Sequence, residues 1–269
     1  MKFELHIKVE SNNLVAIDLL ANNCDVSKQK LKQAMQKGAV WLTKLKSTRR
    51  IRRAKLSLPK GSELHLYYDD HILSKTPEAP VLIADEIKYS VWYKPNGILS
   101  QGSRFGDHFT ISRQVEVDFR QPTHIVHRLD KEASGLIILA HSKQMSSSLS
   151  SLFQKRLIDK IYRVGVCKPV LEDLPWSIES PIDGKYAQTI VLAQNKIGDI
   201  YWLDIKIITG RKHQIRKHLV GHGFPIIGDN LYGGIESKNG MLLQSYKLKF
   251  LSPLTSKFVE YSLPLHLFK

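Results

Sequence analysis

The spacing of apolar and polar positions divides the 269-residue chain into two stretches of different rhythm. In residues 1–73 the runs are short. Leu14 to Ala21 is apolar-rich and predicts a helix, and Ser27 is placed to cap a second helix to about Lys37. Leu31, Ala34 and Met35 recur there at helical spacing, with Gly38 just past the end. Ala39–Leu42 predicts a short strand, Pro59–Gly61 a turn, and Glu63–Tyr67 an alternating strand. Residues 74–84 contain Pro77 and Pro80 and read as a linker. From residue 85 onward short strands alternate irregularly with helices. Tyr89–Tyr93 alternates into a Lys94–Gly97 turn, and Gly135–Ala140 is a continuous apolar run of the kind a buried strand shows. A helix is expected over Ser146–Phe153, strands over Lys160–Val166 and Ile200–Ile208, and a helix over His213–Val220. The regular βαβ alternation of a doubly wound sheet is missing, so the class is α+β, with domains at 1–73 and 85–269.

Composition adds charge to this picture. Forty Lys and Arg oppose 25 Asp and Glu, a formal charge of +15, and residues 1–73 hold 14 of the basic and 7 of the acidic groups. Between Lys44 and Lys60 lie eight basic residues, Arg49, Arg50, Arg52 and Arg53 among them, and no acidic one. Such an excess concentrates polyanions and makes their binding depend on salt, so nucleic acid is the expected partner. A solvated basic loop without a ligand is the bland alternative. No apolar run reaches the ~20 residues that span a bilayer, and the N-terminus carries charge from its second residue. Cys24 and Cys167 stand far apart without metal-ligand or disulfide spacing. A cytoplasmic protein with no membrane contact is expected.

Two segments concentrate chemistry. His127-Arg128-Leu129-Asp130-Lys131-Glu132-Ala133-Ser134-Gly135 leads directly into the apolar strand. An aspartate held there can act as nucleophile or base, with an arginine beside it to meet phosphate or a base. A structural loop whose Asp caps a turn would have the same residues. Gly210-Arg211-Lys212-His213-Gln214-Ile215-Arg216-Lys217-His218 is the second. His213 and Arg216 lie about one helical turn apart and can address one site, although a solvated basic helix is the competing reading. His213, His218 and His222 lack the glutamate and spacing of a metalloprotease helix, and no metal is expected. The segment 127–130 is not His-Arg-Asp and no Asp-Phe-Gly follows, which excludes a protein kinase.

Taken together, these segments resemble the RluA family of pseudouridine synthases. Residues 127–136 match its His-Arg-Leu-Asp…Ser-Gly-Leu signature. Residues 210–219 match Gly-Arg-x-His-Gln-Ile-Arg-x-His-Leu, and 225–233 match Pro-Ile-x-Gly-Asp-x-x-Tyr-Gly. Lys94–Gly97 and Lys160–Tyr162 fall in the family's order. The layout of residues 1–73 is similar to the small RNA-binding domain of the ribosomal-protein S-four type, with Ala16-Ile17-Asp18 where that domain has Arg-Leu-Asp. The resemblance implies a mixed, mainly antiparallel central sheet flanked by helices and loops, preceded by a small α/β RNA-binding domain.

The resemblance also implies roles. Asp130 would be the catalytic aspartate, attacking the uracil ring or the anomeric carbon or otherwise starting glycosidic cleavage. Tyr162 would pack on the uracil where a proton leaves carbon 5, and Arg216 would pair with Asp130. Arg128 would fill the gap left by a flipped nucleotide. Leu243 would wall the uracil pocket, and His127, Arg211, His213 and the arginines at 49, 50, 52 and 53 would meet RNA. Where the family has Leu-His-Ala, this chain has Leu243-Gln244-Ser245. The implied activity is isomerisation of uridine to pseudouridine by a monomer that needs no cofactor. Large-subunit ribosomal RNA is the expected substrate. Transfer RNA is the alternative, and a binding protein in which Asp130 is dispensable is a second one.

Overall fold

The computed structural model describes residues 1–268, which form two compact units, 1–77 with 101–114, and 78–100 with 115–268. The first unit therefore recruits a segment that the sequence assigns to the larger domain. The expected linker over 74–84 is corrected as well, because its last residues are already a strand of the second unit's sheet.

The first unit contains β1 (Lys2–Lys8), β2 (Leu14–Val15), α1 (Ala16–Ala21), α2 (Lys28–Gln36), β3 (Val40–Lys44), β4 (Ser47–Arg50), β5 (Ser57–Leu58), β6 (Glu63–Asp69) and α3 (Asp70–Leu73). An antiparallel sheet runs β1-β6-β3-β4, and β2 pairs with β5. The Ser27 hydroxyl accepts the Lys30 N–H and fixes the start of α2, as its sequence position predicts. Leu20, Leu31, Met35, Leu64 and Leu66 form the core. Leu14 and Val15 were expected to begin a helix. They pair with β5 instead, because Leu14 lies opposite Leu58 and α1 starts only at Ala16.

The second unit holds β7 (Val81–Asp85), β8 (Tyr89–Lys94), β9 (His124–Ile125), β10 (Ser134–Ala140), α5 (Lys143–Gln154), β11 (Ile158–Val166), β12 (Trp176–Ile178), β13 (Thr189–Ile197), β14 (Ile200–Ile207), α6 (Gln214–Gly221), β15 (Leu243–Leu251) and β16 (Phe258–Ser262), and α4 (Ile111–Phe119) begins in the first unit and ends in the second. One mixed, mainly antiparallel sheet runs β12-β13-β14-β11-β15-β10-β8-β7, with β16 on β15 and β9 on β10. Its parallel pairing is β10 with β15. Every residue of β8 and β10 is buried, which accounts for the apolar run Gly135–Ala140, while β8 buries Ser90 and Lys94 among its apolar residues.

The β10–β15 junction sets the site. Gly135, at φ +106°, lies opposite Ser245, and a Cβ there would stand 2.3 Å from the Ser245 carbonyl oxygen and 2.5 Å from its nitrogen. Glycine allows the two backbones to meet, so the Asp130 loop and Leu243 enter the sheet side by side. On the other side of β15, β11 places Tyr162 opposite Ser245 and Val164 opposite Leu243. Directly opposed residues share a face, so Tyr162 and Leu243 line the same side of the sheet.

Candidate active site

The loop carrying Asp130 is fastened at both neighbours. Ser100 Oγ donates to the Leu129 carbonyl at 2.8 Å and accepts the Leu129 N–H at 3.0 Å. On the other side the Lys131 carbonyl accepts from the Gly97 N–H at 2.8 Å and from Lys94 Nζ at 3.3 Å. Lys94 is fully buried, and its ammonium also donates to the Pro95 and Ile98 carbonyls, each at 3.0 Å. The Lys-Pro-x-Gly turn is thus a clamp on the loop after Asp130. The signal for it is a lysine at the end of the strand that leads into the Pro95–Gly97 turn.

Arg216 comes from the first turn of α6 and is buried to 2% exposure. Its Nη1 stands 3.7 Å from Asp130 Oδ2 and 3.9 Å from Glu132 Oε2, with no hydrogen bond of its own. The strong partner is a different carboxylate. Arg216 Nε and Nη2 both donate to buried Asp229, each at 2.7 Å, in the bidentate geometry a guanidinium favours. Burial alone would lower the guanidinium's pKa and raise the carboxyl's. The paired bonds outweigh it, holding Arg216 above and Asp229 below their ordinary values. The expected Asp130 pairing is therefore a secondary, longer contact. Asp229 lay inside a recognised motif, but nothing in the sequence gave it this task.

His213 caps α6 in the left-handed region at φ +55°, without side-chain capping. Its Nε2 stands 3.8 Å from Asp130 Oδ1, and its Nδ1 is 3.0 Å from the Tyr232 hydroxyl. Burial pushes the imidazole's pKa down, and Arg216 and Lys212 reinforce this, against the pull of Asp130 and Glu132. The helix start is organised by Gln214 instead. Its Oε1 accepts from Thr209 Oγ1 at 2.7 Å and the Arg211 N–H at 3.0 Å, while Nε2 donates to Gln188 O and Thr189 Oγ1. His218 is structural: Nε2 faces the Ser180 carbonyl at 3.0 Å and Nδ1 faces Thr189 Oγ1 at 2.9 Å.

Tyr162 is nearly buried, and burial with the nearby charge of Asp130 pushes its phenol well above the ordinary range. It stays protonated at neutral pH, so it presents a ring face and an O–H. Leu243 is 3% exposed beside it on the sheet. Arg128 is exposed on the loop. Arg211 Nε donates to the Tyr186 carbonyl at 3.0 Å.

Three sequence expectations change. His127 has a packing role: Nε2 accepts the Ile138 N–H at 2.9 Å and the ring stacks on Phe153 at 4.2 Å, so the imidazole is committed to β10. In the first unit Arg50 and Arg52 both pair with Asp107, at 3.2 and 2.5 Å. Arg50 further caps the carbonyls of Gly38 and Ser103 and covers the Trp41 ring at 4.2 Å. These two arginines hold segment 101–114 in its unit, whereas Arg49 and Arg53 are exposed. Among the described residues no cluster of three metal-ligating side chains occurs, and no helix is long and apolar enough to cross a membrane.

Comparison with known proteins decides the family. The RNA pseudouridylate synthase family profile matches residues 88–220. An RNA pseudouridine synthase of Synechocystis sp. is 32% identical over 225 residues, 70% of this chain and 75% of the relative. The chain belongs to the RluA family of RNA pseudouridine synthases. It is an isomerase that converts uridine in RNA to pseudouridine. The synthase is also 30% identical to the dual-specificity RNA pseudouridine synthase RluA of Vibrio cholerae, across 70% of this chain and 77% of that one. The ribosomal large subunit pseudouridine synthase D of Borreliella burgdorferi is 29% identical, across 80% and 79%. The fold of human RNA pseudouridylate synthase domain containing 1 superposes with a TM-score of 0.57 at 22% identity, over 70% of this chain and 84% of that one.

Proposed function

We propose that the synthase acts on large-subunit ribosomal RNA, with Asp130 starting the cleavage of the glycosidic bond. The observation that carries the site is the convergence of Asp130 on its fastened loop, Arg216 from α6 and Tyr162 on the sheet face. Arg216 lends Asp130 a positive neighbour without a tight ion pair. Tyr162 offers a buried ring on which a uracil can stack and an O–H that can relay a proton near carbon 5. Leu243 extends the apolar wall, and exposed Arg128 stands where the RNA backbone or the vacated stack can be met.

The ribosomal reading rests on two supports. The Borreliella relative named for the large ribosomal subunit aligns over most of both chains. The first unit, which does not contain the catalytic segments, also concentrates positive charge, including exposed Arg49 and Arg53, and this suits a large folded RNA. In this reading the unit serves as an RNA-binding module of the S-four type.

Mapping pseudouridines in a strain lacking the gene, complemented by wild type or Asp130→Asn, tests both halves. We expect loss at large-subunit positions, restored by wild type alone. Restoration by Asp130→Asn would overturn the site. Loss confined to transfer RNA would move the substrate there.

A further inference from the structure

Asp130 meets donors on both oxygens, and neither donor is free to turn. Arg216 is locked by Asp229. His213 is met from behind by Tyr232, whose hydroxyl lies 3.0 Å from Nδ1. Tyr232 also touches the other donor, since its ring lies 4.9 Å beneath the Arg216 guanidinium. The turn that carries it is closed by backbone bonds from Gly228 N to Ile235 O and from Gly234 N to Asp229 O. The Asp229 carboxylate additionally accepts the Leu231 and Tyr232 N–H groups at 3.1 and 3.2 Å.

We propose that Tyr232 is a positioning residue that fixes His213 as the Nε2–H tautomer, so that a neutral N–H, and not a second cation, faces Asp130. This rests on the assignment of Asp130 as the reacting group. A neutral imidazole has one donor and one acceptor. If Tyr232 donates to Nδ1, the Nε2–H points toward Asp130 Oδ1. The opposite tautomer would aim a lone pair at a carboxylate 3.8 Å away and is electrostatically disfavoured. A phenol can donate or accept, so the Asp130 carboxylate facing Nε2 sets the preference, and Tyr232, donating to Nδ1 at 3.0 Å, holds the ring in that tautomer and orientation.

The chemistry explains why this arrangement suits the reaction. A bidentate ion pair on Asp130 would hold its charge so tightly that any step consuming that charge is slowed. Asp229 takes the tight pair instead, leaving one Arg216 nitrogen at 3.7 Å. The neutral His213 N–H then adds orientation to the second oxygen with little extra charge stabilisation. Both contacts are longer than hydrogen bonds here and have room to tighten around bound RNA.

Single-turnover assays on total RNA from a gene-deleted strain test this, using wild type, Tyr232→Phe, His213→Asn and the double variant, with Asp130→Asn as control. Asn tolerates the left-handed backbone at position 213. Tyr232→Phe should slow the saturated rate ~10- to 100-fold, the size of a modest misplacement. The half-saturating enzyme concentration should change less than about twofold, and the double variant should be no slower than His213→Asn alone. Independent, multiplying losses would overturn the proposal, as would an unchanged rate in Tyr232→Phe. Long-range 15N spectra of the wild type, which need no variant, must show His213 protonated at Nε2; protonation at Nδ1 would also overturn it. An active Asp130→Asn enzyme would instead refute the catalytic assignment on which this rests.

Discussion

Arg216 shows how one side chain can have two unequal partners. A buried ion pair is weak evidence for stability, because desolvating both charges costs about what their attraction returns. The Arg216–Asp229 pair is better understood as an orienting device, since it spends two guanidinium nitrogens and aims the third at Asp130 and Glu132. His127 illustrates the same economy for a neutral group. Its ring accepts a backbone N–H on a fully buried strand, and burial pushes its pKa down to about 3. The unfolded chain binds that proton near pH 6.5 and the folded one does not, so this contribution is complete above about 6.5 and erodes as pH falls toward 3. Urea unfolding at pH 7 and pH 5 should show wild type losing about 2 kcal/mol more than His127→Gln, which has no such proton to exclude. Equal losses in the two proteins would mean the imidazole is solvated.

At the scale of elements, the decisive contact is the parallel meeting of β10 and β15. It joins the strand that follows Asp130 to the strand that begins with Leu243, and β11 beside it supplies Tyr162. Gly135 makes this contact possible. Gly135→Ala puts a methyl group into the Ser245 backbone and strains a φ of +106° at once. We expect a loss above about 4 kcal/mol, the range reserved for backbone clashes and core disruption. By calorimetry the melting temperature should fall by roughly 10 °C in a domain of this size. Activity should disappear even at temperatures where the variant remains folded, because the loop and the pocket wall no longer share an edge. A variant with native melting and activity would show that the two strands can separate without consequence.

Across the whole molecule, charge and structure divide the basic residues into two groups. The +15 excess makes RNA binding salt-dependent, but only exposed cations contribute counterion release. Arg49 and Arg53 are exposed, whereas Arg50 and Arg52 are paired with Asp107 inside their unit. Filter binding of large-subunit RNA across a salt series should give Arg49→Ala and Arg53→Ala shallower slopes, each by roughly one unit of log K per log salt, with native melting. Arg50→Ala and Arg52→Ala should instead lower the melting temperature, because each removes one of the two arginines paired with Asp107. A shallower slope for Arg50→Ala with unchanged melting would mean its guanidinium is available to RNA after all.

The sequence by itself determined the class, the order of most elements and which residues are candidates for the site. These depend on local signals: the helical spacing after Ser27, the apolar run from Gly135 and two ordered motifs around Asp130 and Arg216. It also placed Tyr162 and Leu243, although only through the family's pattern. What it could not show was which partner each charged group would choose. Arg216 and Asp229 are 13 residues apart, Arg52 and Asp107 are 55 apart, and Lys94 clamps a carbonyl 37 residues on. No periodicity records such pairings, because they form only when separate segments are desolvated together. The same reason hid the transfer of residues 101–114 to the first unit and turned His127 from a candidate ligand into a support for β10. Tertiary structure decided the geometry around Asp130, because burial removes water as the alternative partner and forces each polar group to find one in the fold.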